Sequence, residues 1–192
     1  MPDLMTGGVM QSLIEPAQKV LLELQRQNTR LVLAESCTGG LLACVLTTLP
    51  GVSEVFCGSA VTYRNDTKSC WIDVSREKLA DPTIGPVSHD VAEEMCQGVL
   101  NRTPEADLAA AITGHLGPNA PLELDGVVYI ATMRRERSRP TVRRVVLCCG
   151  VPEEGTHRDA RRLQAAQHVL QAILEELIQS DSPDGQTDRT AI

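Results

Sequence analysis

Aromatic residues are almost missing from this chain: Phe56, Tyr63, Trp71 and Tyr129 make up 2% of its 192 residues. The core must therefore be aliphatic, and a platform of stacked rings for single-stranded nucleic acid is excluded. A surplus of positive charge is missing as well. Against 25 Asp and Glu stand 18 Lys and Arg, a net charge of −7. That opposes a broad footprint on a phosphate backbone, so no nucleic-acid partner is expected, although a small anion needs only a few donors. No apolar run approaches the roughly 20 residues that span a bilayer, and no membrane partner is expected. Met1-Pro2-Asp3 offers neither a basic nor an apolar leader region, so no export signal is expected. The seven cysteines are an odd number and form no C-x-x-C pair. A zinc ribbon and a thioredoxin motif are thus not indicated, and free thiols in a reducing cytoplasm are the simplest reading. The vicinal Cys148-Cys149 reads as part of a strand.

What is present alternates between helical and strand patterning. The length suits one domain, read as a flexible segment over 1–11, a single domain over 12–179 and a disordered tail over 180–192 rich in Ser, Asp, Gly and Pro. Ala17, Val20, Leu21 and Leu24 repeat at helical spacing after Pro16, which suits a first-turn position. Leu31–Ala34 reads as a buried strand. Thr38 is a candidate cap for a helix carrying Leu41, Leu42, Val45, Leu46 and Leu49. Ser59–Tyr63 reads as a strand, followed by a turn into a short helix. Ser88 is the expected N-cap of a helix with Val91, Ala92, Met95 and Val99 inward. Leu108–Ile112, Gly126–Met133 and Thr141–Cys148 are three further strands, the last two an antiparallel pair. A closing helix is expected from His157 to Gln179. The pattern is α/β, with a mixed, mostly parallel sheet and helices on both faces. The cluster Arg134, Arg135, Arg137, Arg139, Arg143 and Arg144 is either a solvated hairpin or an anion contact.

Three apolar strands end in polar loops: Ser36-Cys37-Thr38-Gly39-Gly40, then Tyr63 with Asn65 and Lys68, then Thr113-Gly114-His115. If those strands are parallel, the three loops meet at one edge of the sheet, where open α/β folds bind ligands.

Five segments together carry a resemblance: "LAESCTGG" at 33–40, "PGVSEVFCGSAVTYRNDTK" at 50–68, "PVSHDVAEEMCQG" at 86–98, "ITGHLGP" at 112–118 and "GVVYIA" at 126–131. In this order they resemble the C-terminal domain family of the competence- and damage-inducible protein CinA, over roughly residues 15–178. The resemblance implies a three-layer α/β/α sandwich. Its amidase members hydrolyse the carboxamide of nicotinamide mononucleotide to nicotinic acid mononucleotide and ammonia, in pyridine-nucleotide salvage. It implies no metal and no cofactor, and a homo-oligomer is possible for such a domain.

The resemblance further implies Ser36 as nucleophile, with Lys68 as its base and Tyr63 as relay or orienting partner. A serine hydroxyl is a weak nucleophile until a base takes its proton. A lysine serves only when neutral, so its pKa must fall from ~10.4 to ~7–8. Backbone N–H groups at Thr38, Gly39 and Gly40 suit an oxyanion or phosphate. Glu35, Thr113 and Gly114 are expected to line the pocket, and Arg158 or Arg162 to reach a phosphate. A Cys37–His115 pair is a minor alternative.

Two departures from the family pattern bear on substrate. His115-Leu116 stand where small or aliphatic residues are usual, and Leu122-Glu123-Leu124-Asp125 replace a segment that often holds lysine and proline. They leave a second function open: a nucleotide-binding or regulatory module without turnover.

Overall fold

The computed structural model describes residues 7–147 and 156–179. Its centre is a five-stranded sheet in the order β2-β1-β3-β4-β5. The strands are β1 (Leu31–Glu35), β2 (Phe56–Val61), β3 (Leu108–Gly114), β4 (Val127–Arg134) and β5 (Thr141–Val146). β1 pairs in parallel with β2 and β3, while β4 runs antiparallel to both β3 and β5. Four strands therefore share one direction and β4 opposes them.

Strand alternation feeds two separate cores. Leu31, Leu33, Leu108, Ala110 and Ile112 face one cluster. It is completed by α1 (Gly7–Gln27), α2 (Leu41–Thr47) and α6 (His157–Gln179). Val32, Ala34, Ala109 and Ala111 face the other. There they meet residues of α3 (Asn65–Ile72), α4 (Arg76–Ala80) and α5 (His89–Arg102). Helices thus cover both faces, a three-layer α/β/α arrangement. The alanines on the second face leave room for α5 to lie close, and Gly98 lets α5 abut the end of α3. A Cβ at Gly98 would sit 1.8 Å from the Ile72 carbonyl oxygen.

Several elements differ from expectation. Residues 7–11, read as a loose end, belong to α1, and Pro16 lies inside that helix rather than in its first turn. A mid-helix proline costs about 3 kcal/mol. Leu13, before the proline, and Ala17, Val20 and Leu24, after it, are all fully buried in one cluster. Each buried aliphatic side chain of Leu or Val size returns about 1.5–3 kcal/mol, so packing carries the helix through. α4 was not foreseen; it is capped by the Ser75 hydroxyl, which accepts from Lys78 N–H at 3.2 Å. Residues 1–6, the 180–192 tail and Cys148-Cys149 lie outside the described residues.

The arginine cluster divides: Arg139 and Arg144 are exposed, as a solvated hairpin requires, whereas Arg134, Arg135, Arg137 and Arg143 bond to the protein. Arg135 donates to the carbonyls of Leu100, Thr103 and Ala106, around the end of α5. Arg137 pairs with buried Glu176, and Arg143 with Glu175.

Candidate active site

Parallel register sets the site. Glu35 of β1 lies opposite Val61 of β2 and Ile112 of β3. One step beyond stand Ser36, Thr62 and Thr113, at the carboxyl ends of three adjacent strands. Ser36 N–H continues the ladder to the Ile112 carbonyl at 3.1 Å, and Thr62 N–H donates to the Glu35 carbonyl at 2.8 Å.

After Ser36 the chain turns sharply through Gly39 (φ 63°) and Gly40 (φ 91°). Both are left-handed, a conformation side chains with a Cβ rarely adopt. Gly40 occupies the N-cap of α2 and has no side chain to cap it. The carboxylate of Glu35 does that instead. It accepts from the N–H groups of Gly40 (3.1 Å), Leu42 (3.1 Å) and Ala43 (3.0 Å), and from the Ser59 hydroxyl (3.0 Å). The strand's own last residue therefore caps the helix that follows it.

Lys68 enters from α3. The helix starts where the Thr67 hydroxyl accepts from Arg64 N–H at 3.2 Å. The Lys68 side chain is 2% exposed, with Nζ 2.9 Å from Ser36 Oγ and 2.9 Å from the Thr62 carbonyl oxygen. Among the described residues no carboxylate pairs with it. Desolvation without a counter-charge pulls its pKa down to about 8. As an ammonium it donates to both oxygens; as a neutral amine it donates to Thr62 and accepts from the Ser36 hydroxyl.

A cavity of about 250 Å³ opens over this pair, walled by Ser36, Tyr63, Lys68, Thr113, His115 and Arg158 among others. Arg158 reaches across from the start of α6. Its guanidinium donates to the Tyr63 hydroxyl at 2.9 Å and to the Gly117 carbonyl. Among the described residues the Cys37 N–H donates to no backbone acceptor, and Cys37 lines the cavity whereas Thr38 does not. It follows the candidate nucleophile directly and is the backbone donor open to an oxyanion.

The family model for the CinA C-terminal domain matches residues 6–177. The chain belongs to the CinA C-terminal domain family. A CinA-like protein of Myxococcus xanthus is 39% identical over 164 residues, 84% of this chain and 36% of that protein. A CinA-like protein of Prochlorococcus marinus is 46% identical over 100 residues, 52% of this chain and 23% of its own length. The chain thus spans about a third or less of these curated relatives. Among solved structures, the competence/damage-inducible protein CihA of Agrobacterium tumefaciens superposes with a TM-score of 0.73 at 32% identity, covering 92% of this chain and 99% of that one. A CinA superfamily protein of Klebsiella pneumoniae gives a TM-score of 0.75 at 28% identity, covering 86% and 97%.

Within this CinA domain, Ser36, Lys68, Tyr63, Thr113 and Gly114 come together around one cavity. Other expected site residues take different places. Tyr63 is half exposed and its hydroxyl is bonded to Arg158, whereas Lys68 is held by Ser36 and Thr62, so Tyr63 is no relay in this geometry. Glu35 and Thr38 are fully buried and, with Gly39 and Gly40, stand outside the cavity wall. Thr38 does not cap α2; its hydroxyl is buried without a partner. Gly40 N–H is taken by Glu35 and Gly39 N–H by the Ser36 carbonyl at 3.1 Å, which removes both as anion donors. Arg162 faces Asp159 at 3.9 Å, away from the cavity, and Arg158 one turn earlier occupies the wall.

Thr113 is present in the wall, but its hydroxyl is engaged by the Pro86 carbonyl at 2.7 Å. Gly114 is needed because a Cβ there would lie 2.4 Å from Val128 Cγ1. Cys37 is 6% exposed and burial pushes its thiol up to about 12, so the Cys37–His115 alternative has no thiolate to work with. Thr62, the carbonyl anchor of Lys68, was not foreseen; a backbone role leaves no mark on residue type. Asp125 of the acidic 122–125 segment is neutralised by Arg161, with both contacts at 2.7 Å. Among the described residues no cluster of His, Cys, Asp or Glu could hold a metal ion, and no helix is long and apolar enough to cross a membrane.

Proposed function

We propose that this CinA domain is an amidohydrolase that converts nicotinamide mononucleotide and water to nicotinic acid mononucleotide and ammonia. It would serve pyridine-nucleotide salvage in the cytoplasm and use only groups of the chain itself. The observation that carries this reading is a buried lysine, unpaired with any described carboxylate, 2.9 Å from a serine hydroxyl at the floor of a cavity.

The steps follow from the geometry. Neutral Lys68 takes the Ser36 proton as Oγ attacks the carboxamide carbon. Negative charge moves to the carbonyl oxygen, where the Cys37 N–H stabilises it. The Lys68 ammonium then protonates the departing nitrogen, ammonia leaves, and a nicotinoyl ester remains on Ser36. A water molecule, deprotonated by Lys68, attacks that ester; the proton returns to Ser36 and the carboxylic acid product departs. Arg158, the cavity-lining guanidinium with no carboxylate partner among the described residues, supplies charge for the phosphate.

One feature favours a second reading. Arg158 is held by Tyr63 and Gly117, which would suit a binding module that turns nothing over. Incubation of the purified protein with nicotinamide mononucleotide separates the two. Ammonia and nicotinic acid mononucleotide in equal amounts support hydrolysis; calorimetric binding without product supports the module, and no binding opposes both.

A further inference from the structure

The carboxylate of Glu35 is fully buried and, among the described residues, has no Lys or Arg partner. Burying an unpaired charge is costly unless hydrogen bonds replace its water. Here four do: three N–H groups from Gly40, Leu42 and Ala43, and the Ser59 hydroxyl. Three of these cap α2, but the fourth, Ser59, belongs to a different element, β2. The Glu35 backbone carbonyl also accepts from Thr62 N–H at 2.8 Å. Thr62 is the residue whose own carbonyl holds Lys68 Nζ. Glu35 is therefore joined to everything that sets the dyad: covalently to Ser36, through α2 to the turn after it, and through Ser59 and Thr62 to the strand that anchors Lys68.

We propose that Glu35 is a positioning residue for the Ser36–Lys68 pair, its carboxylate clamping β1, β2 and the start of α2 so that the hydroxyl meets the amine. By occupying Gly40, Leu42 and Ala43 it also keeps the first N–H groups of α2 from competing for an anion, leaving that of Cys37 as the donor. This rests on the nucleophile assignment above, but not on the identity of the substrate.

The test uses a fluorophosphonate, diisopropyl fluorophosphate, which reports on the dyad directly. The Ser36 Oγ–P bond forms, the P–F bond breaks, fluoride leaves and Lys68 takes the hydroxyl proton. Saturation kinetics separate reversible binding (KI) from the covalent step (kinact). For Glu35→Gln, kinact falls about a hundredfold, as expected when reacting groups are displaced by about 1 Å, while KI stays within threefold because Glu35 does not line the cavity. Ser59→Ala, which removes one of the four bonds and leaves the helix cap, lowers kinact by a smaller factor and keeps the fold. If Glu35→Gln melts at a lower temperature but keeps the wild-type kinact while folded, the carboxylate is only a helix cap and the proposal fails. If Glu35→Gln does not fold, Ser59→Ala decides alone, and an unchanged kinact there overturns the proposal. Wild-type protein that never labels at Ser36 removes the nucleophile assignment itself, and this inference with it.

Discussion

Lys68 Nζ and Ser36 Oγ lie 2.9 Å apart although 32 residues separate them in the chain. The serine stands at the end of β1 and the lysine on α3, the helix that follows the adjacent strand β2. The lysine is desolvated beside the hydroxyl it must deprotonate, which makes the pair's protonation state the first thing to measure.

The rate should follow the neutral amine. With Lys68 pulled down to about 8, kcat/KM for nicotinamide mononucleotide should rise through pH 7 and 8 and level off above, with a midpoint near that value. Lys68→Arg cannot supply a neutral base at any of these pH values, because guanidinium stays charged. It should lose about 10²–10⁴-fold in kcat. A profile that is flat between pH 6 and 9 contradicts the role of Lys68.

The same shift has a stability sign. A lysine whose folded pKa lies below its unfolded value destabilises the fold in full below about pH 8, and the cost is relieved as pH rises from about 8 toward 10.5. That interval corresponds to at most ~3–4 kcal/mol at ~1.4 kcal/mol per unit. Lys68→Met, apolar and of similar length, should therefore be more stable than wild type at pH 7, with the gap closing above pH 8. Thermal melts of both proteins at pH 7 and pH 10 check this; a less stable variant at pH 7 argues against the unpaired buried charge.

Arg158 should act on binding more than on turnover. Arg158→Gln is expected to raise KM for the mononucleotide about 10–100-fold, equivalent to losing one charge-assisted contact, with kcat within threefold. Preference for the mononucleotide over nicotinamide riboside, which lacks the phosphate, should shrink by the same factor. Arg162→Gln, facing Asp159 outside the cavity, should change neither. Equal effects of the two substitutions would remove Arg158 from phosphate recognition.

Backbone packing between α3 and α5 leaves no space at residue 98. Gly98→Ala would place a Cβ 1.8 Å from the Ile72 carbonyl oxygen and 2.8 Å from its carbon. Backbone cannot swing aside as a side chain can, so a loss of about 3 kcal/mol or more is expected. Urea unfolding reads it as a lower midpoint with an unchanged slope.

Much of this was legible in residue order. The closing helix, His157–Gln179, has the bounds its periodicity predicts, because Leu163, Ala166, Leu170, Ile173 and Leu177 keep one stripe over about four turns. The strand at Leu31 was equally plain. Pro16 misled because a local rule for helix starts was overridden by burial on both sides of it. Glu35 misled for a related reason. A carboxylate beside a nucleophile looks like a substrate contact, and only the fold shows that three helix N–H groups and a hydroxyl already occupy it. The missing signal was there in part: α2 begins with glycines and no Ser, Asp or Asn at its cap, so its N–H groups had to find an acceptor elsewhere. Arg158 and Arg162 could not be ranked because both open the same helix, one turn apart, and only the cavity distinguishes them.

The account stands or falls on Ser36 carrying the acyl group. Rapid mixing of the protein with nicotinamide mononucleotide, acid quench and intact-mass and peptide analysis should find the nicotinoyl nucleotide ester on the peptide containing Ser36, and Ser36→Ala should lose both the adduct and at least about a thousandfold in ammonia release. Ammonia release by Ser36→Ala at the wild-type rate would contradict it.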